Sequence, residues 1–183
     1  MLTFILTSAV ILLTPGPTNT VLAASGAAFG LRQARHLPLA EAGGYMIAIS
    51  VFVSFAALVK DLWWALPALK MLAAAWLAFS AVRLWTASPE LQGAVRSGAF
   101  TRVFLTTIVN PKAMIVGTMM IPQSSIGEMA LKVATFVLLS SMAGFGWVAL
   151  GSALPGSLRR HSYKGAACIL GGFSFLALSS ALA

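Results

Sequence analysis

The chain alternates long apolar runs with short polar ones, at a spacing that suits a bilayer. Runs near 2–28, 40–59, 66–86, 103–121, 130–154 and 165–183 each offer the ~20 mostly apolar residues of a membrane-crossing helix. The polar stretches between them include KDLWWALP at 60–67, TASPELQGAVRSG at 86–98, PQSSIGE at 122–128 and PGSLRRHSYKG at 155–165. This pattern predicts an all-α integral membrane protein of six transmembrane helices in one domain, 1–183. The stretch 86–98 is the most polar and divides the chain into pseudo-repeats of about 1–88 and 99–183. Three spans in each half is an odd number, so the second half is expected to be inverted relative to the first.

Two runs are interrupted. The first carries Thr14-Pro15-Gly16-Pro17 about a dozen residues in, and the fourth carries Asn110-Pro111 about eight residues past Arg102. Proline inside a helix removes a hydrogen bond and clashes with the preceding turn. At a rise of ~1.5 Å per residue, each break is expected roughly 12–20 Å into a hydrocarbon core of about 30 Å. Proline-interrupted segments at matching places in two inverted halves point to a transporter binding site. The alternative is ordinary kinking, patched by the neighbouring Thr and Asn side chains.

Backbone groups freed in lipid need partners. After the first break, Thr18, Asn19 and Thr20 supply polar side chains, and Thr18 or Asn19 is expected to cap the new half-helix. The amino end of that half-helix suits a carboxylate. In TTIVNPKAM, Thr106, Thr107, Asn110 and Lys112 accompany the second break, and Asn110 is expected to bond freed carbonyls or a substrate. Lys112 either attracts a carboxylate or snorkels to the headgroups.

Composition agrees with lipid as the solvent. Of 183 residues 59% are hydrophobic and 9% charged, whereas soluble domains carry about 25% charged residues. The net charge of +8 sits in short clusters between apolar runs and not in a basic stripe with interleaved aromatics, so no nucleic-acid partner is expected. The loops after spans one, three and five hold eight basic residues (Arg32, Arg35, Arg83, Arg96, Arg102, Arg159, Arg160 and Lys164), against Lys60, Lys70 and Lys132 in the other two. The positive-inside rule puts the first set in the cytoplasm and both termini on the far side. MLTFILTSAV has no basic residue, so it is read as a retained helix and not a secretory signal. Trp63 and Trp64 suit the interfacial belt.

Glu41 opens the second span. Carboxyl groups in spans are usually functional, which makes Glu41 the candidate for proton coupling; the alternative is an interfacial pair with Arg35 or His36. The lone Cys168 is expected to be a small packing residue. GAAFG at 26–30, Gly43, Gly44, Gly144 and Gly146 would let helices approach closely, within one chain or in a homodimer. No HExxH, paired carboxylates, Ser-His-Asp set or Walker motif occurs. No enzyme activity, cofactor or metal site is therefore expected, and no direct use of ATP.

LTPGPTNTVL, NPKAM and the IPQ at 121–123 resemble the LysE/RhtB family of bacterial amino-acid exporters, as does the plan of six short spans over nearly the whole chain. The matching positions are Pro15, Gly16, Pro17, Asn19, Asn110, Pro111, Lys112 and Ala113. Thr18 intervenes where the family usually has Asn directly after PGP. The resemblance implies a multi-pass protein of the bacterial cytoplasmic membrane. It would export an amino acid or related small metabolite by ion-gradient-driven efflux, with protons as the implied coupling ion. Its substrate-binding residues would be those of the two breaks, including Thr18. An inorganic cation exporter of the same superfamily would want more intramembrane carboxylates than Glu41. A non-transporting membrane partner protein would bury Asn19 and Asn110 in packed interfaces.

Overall fold

Helices occupy all six of the expected apolar stretches in the computed structural model, which describes residues 1–62, 64–86, 98–121, 124–155 and 162–182. They are α1 (Leu2–Leu13), α2 (Pro17–Phe29), a short α3 (Leu31–Ala34), α4 (Leu37–Asp61), α5 (Ala65–Trp85), α6 (Ala99–Ile108), α7 (Pro111–Ile115), α8 (Ile126–Ser152) and α9 (Ser162–Leu182). A π-helical turn, Val116–Met120, continues α7. Among the described residues there is no strand. Trp63, Arg96, Pro122, Gln123, Arg159, Arg160 and His161 lie outside the described residues, as does most of the expected divide at 86–98.

The helix ends follow local chemistry. Thr14 and Asn110 both precede a proline, which disfavours the helical region for the residue before it. Both are extended, with ψ of 129° and 126°. Pro17 and Pro111 then sit at the first position of the next helix, where a missing N–H costs nothing. Gly30 ends α2 with φ of +76°, a conformation open to glycine. Ser125 caps α8 by accepting from the amide of Glu128, 3.3 Å away.

The stretches Leu31–Ser54 and Ile126–Ser152 are long and apolar enough to cross a membrane, and α1 with α2 makes a third such unit bent by 57°. The surface agrees with that reading. Leu2, Leu6, Val10 and Leu13 form an outward stripe on α1, and Leu131, Leu138, Met142 and Phe145 stand outward on α8. Apolar faces of this extent need a non-aqueous neighbour. Ser8, Thr18, Asn19, Glu41, Thr106, Thr107, Asn110 and Ser140 are buried instead. Cys168, expected to pack inside, is exposed on α9.

Packing is close where residues are small. A Cβ on Gly26 would collide with the Val148 carbonyl, and one on Gly151 with the Ala23 carbonyl, so α2 and α8 meet backbone to backbone. A Cβ on Gly44 would stand 2.7 Å from Thr107 Cβ, and one on Gly117 3.2 Å from the Ile49 carbonyl, so α4 meets α6 and the π turn in the same way. Gly30 and Gly146 have nothing near them, so the expected GxxxG at 26–30 works through Gly26 alone. The main neighbours are α5 with α9, α4 with α8, α1 and α2 with α8, and α6, α7 and the π turn with α4; α2 also touches α9, and α5 touches α6. Ser174 Oγ donates to the Ala74 carbonyl at 2.8 Å between α9 and α5. Trp76 Nε1 donates to Thr106 Oγ1 at 3.1 Å between α5 and α6.

Candidate functional site at the two helix breaks

Breaking a helix orphans carbonyls on one side and amides on the other. At the first break the carbonyls of Ile11, Leu12 and Thr14 end α1. Asn19 answers them: its Nδ2 donates to the Leu12 carbonyl at 2.8 Å and the Thr14 carbonyl at 3.0 Å. This corrects the expectation that Thr18 or Asn19 caps α2. Gly16 is the N-cap, and no side chain caps that end. Asn19 turns backward because carbonyls of the preceding helix lie within reach of its amide. Thr20 N–H, bonded to the Gly16 carbonyl at 2.9 Å, closes the first turn of α2. Pro15 is exposed, while Gly16 and Pro17 are buried.

At the second break Asn110 caps α7, with its side-chain oxygen accepting from the Lys112 amide at 3.0 Å. Its Nδ2 reaches across to Thr18 Oγ1 at 2.9 Å and Tyr45 Oη at 3.3 Å. Asn110 therefore bonds neither freed carbonyls nor open space; its two amide hydrogens are in use. Thr107 Oγ1 donates to the Val103 carbonyl at 2.7 Å and lies 3.3 Å from Thr18 Oγ1. Thr18 is thus the hinge point between the breaks. The PGP and NPK segments, far apart in sequence, are adjacent in space.

Lys112 completes the junction. From the first turn of α7 its Nζ reaches the Thr14 carbonyl at 2.6 Å and the Ile11 carbonyl at 2.7 Å. It does not snorkel; the end of a neighbouring helix offers it acceptors at shorter range. Trp147 Nε1, 3.3 Å from the Leu12 carbonyl, closes the same group from α8. The sequence reading missed Trp147 and the carbonyls themselves. A tryptophan inside the fifth apolar run, five residues before its helix ends, was the signal for the first. Nothing in side-chain chemistry marks the second.

Glu41 makes no hydrogen bond to this network. It is 1% exposed, and neither carboxyl oxygen has a hydrogen-bond partner. The expected pairing with Arg35 or His36 is not formed: Arg35 and His36 are both exposed, and the His36 ring stacks on Phe100 at 6.3 Å. Gly144 makes room for the carboxyl, since a Cβ there would collide with Oε2. Leu22 and Pro38 border the same spot. Ser8 Oγ is likewise buried without a partner. Among the described residues no three His, Cys, Asp or Glu side chains gather as metal ligands. The junction's groups are carbonyls, hydroxyls, two carboxamides, an indole and one ammonium.

No family model, curated protein or solved structure matches the chain.

Proposed function

We propose that the chain is a secondary-active exporter, moving an amino acid or related small metabolite out of the bacterial cytoplasm across the inner membrane. In this reading it is proton-coupled and similar in plan to the LysE/RhtB exporters. The observation that carries the reading is the junction of the two breaks. Asn110 bonds Thr18 in the buried interior, and Lys112 bonds Ile11 and Thr14 nearer the surface, so two proline-interrupted helices meet through polar groups. Irregular backbone at membrane depth is tolerated against protein or a watery cavity, and paired breaks of this kind form the substrate sites of inverted-repeat transporters.

The neighbours of each helix support two inverted halves. Exchanging α1/α2 with α6/α7, α4 with α8 and α5 with α9 leaves the main packing partners unchanged. Alternating access would then rock one three-helix half against the other. A zwitterion suits the first break, which offers the negative end of α1 and the positive end of α2 across three residues.

A non-transporting membrane protein is the second reading, and one observation favours it. Asn19 and Asn110 are each 2% exposed, in packed interfaces. A transporter with its site closed would show the same burial. Export of radiolabelled amino acids from vesicles, with and without a pH gradient, separates the two. Gradient-dependent export that disappears in Asn110→Ala supports the exporter; no transport of any amino acid leaves the second reading.

A further inference from the structure

The last turn of α1 is built to hold a cation. The carbonyls of Ile11 and Thr14 converge on one ammonium, Lys112 Nζ, at 2.7 and 2.6 Å. The Leu12 carbonyl beside them takes Asn19 and Trp147. These are the orphan acceptors of a helix carboxyl end, where the dipole also favours positive charge. The present occupant comes from the other break, on a flexible stem. That stem crosses Gly16, where a Cβ would stand 2.9 Å from Lys112 Cε and 3.1 Å from Nζ. The glycine of the PGP segment therefore keeps open the path by which Lys112 enters.

We propose that this carbonyl cradle is the binding site for the ammonium group of the transported molecule, and that Lys112 is its tethered competitor. The inference rests on the exporter reading for the word transported; the cradle and its occupant stand without it. The ligand class is a primary ammonium compound, because two converging carbonyls require N–H donors as well as charge. A quaternary ammonium has the charge and lacks the donors. Across the break, the amides at the start of α2 suit an anionic group on the same molecule. Lys112, once displaced, keeps its charge and becomes available to that anionic group.

A tethered competitor weakens ligand binding by the fraction of time it leaves the site free. If Lys112 holds the cradle nine-tenths of the time, removing it tightens binding about tenfold by that relation. The test uses the purified full chain, with ethylammonium chloride as probe and tetramethylammonium chloride as control, read by calorimetric titration. Lys112→Met removes the competitor's charge. Gly16→Ala keeps the lysine and puts a Cβ 2.9 Å from its Cε and 3.1 Å from its Nζ, crowding any ammonium held at that point; the backbone permits alanine there, since φ is −162°. Lys112→Met should bind ethylammonium about tenfold more tightly than the unaltered protein, Gly16→Ala should show no such gain, and none should bind tetramethylammonium.

Equal or weaker ethylammonium binding in Lys112→Met would overturn the proposal, because a lysine that contacts ligand or only caps α1 gives that result. If Lys112→Met folds only with ethylammonium present, and not with tetramethylammonium, the cradle is supported. If neither ion restores it, Lys112 is a structural cap and the proposal fails. Tighter ethylammonium binding in a protein that exports nothing would keep the cradle and remove the exporter reading; export without the gain would do the reverse.

Discussion

Asn110 does three jobs with one side chain: it caps α7, bonds Thr18 and bonds Tyr45. Replacing it with alanine removes a cap, worth about 1 kcal/mol. It also strips buried hydroxyls of a donor, at about 1–3 kcal/mol. Asn110→Ala should therefore lower stability by roughly 2–4 kcal/mol. Asn110→Asp keeps the capping oxygen but loses both donated bonds and buries a carboxyl group, so it should cost at least as much as alanine. Denaturant titration in detergent checks the order; an Asp variant clearly more stable than Ala would contradict the burial of this side chain. Glu41 is a different kind of residue, buried with both oxygens unpartnered. If it carries the coupling proton, Glu41→Gln should abolish gradient-driven export and spare substrate exchange at equal pH, because exchange needs no net proton movement. Gly144→Ala would collide with the same carboxyl, so it should produce the same split. Full pH-driven export by the Gln variant would remove Glu41 from the mechanism.

At the level of elements, the two breaks use one device: an extended residue before a proline, and a proline at the first position of the next helix. The breaks were legible because proline acts on its own neighbours. Their pairing was not, because the Thr18–Asn110 bond joins residues that only folding brings together. The glycines behave similarly. Gly26, Gly44, Gly117 and Gly151 sit at backbone contacts, while Gly146 faces open space, and no local rule separates these classes. Gly151→Ala should cost about 1–3 kcal/mol by overpacking α8 against α2. Gly146→Ala should be neutral or stabilise by at most about 1 kcal/mol through helix propensity. Thermal unfolding of the two variants side by side measures this, and equal shifts would contradict the close approach of α2 and α8.

At the scale of the whole molecule, the described residues bury eleven polar or charged side chains within an apolar core and leave many large apolar side chains outward, an arrangement that suits lipid. Orientation rests on basic residues, of which Arg32 in α3 and Arg35 at its end are exposed. With Arg32, Arg96 and Arg160 cytoplasmic and six spans inserted, a reporter active only in the cytoplasm and fused after Ala183 should be silent. A strong signal would mean that α9 does not cross or that the orientation is reversed.

Hydropathy alone placed six helical stretches, two of them broken, within a few residues of where they lie, because each needs only its own run of apolar residues. It placed both breaks, because proline constrains the backbone from within two residues. Tertiary structure decided what those breaks meet. Asn19 turned to carbonyls behind it instead of amides ahead, and Lys112 entered the end of α1 instead of reaching for headgroups. Glu41 went into a space left by Gly144, without the Arg35 or His36 that sequence proximity offered. In each case the deciding partner is a backbone carbonyl or an absent side chain on another helix. Every residue carries the first and glycine alone supplies the second, so neither announces itself in a sequence until the helices are packed.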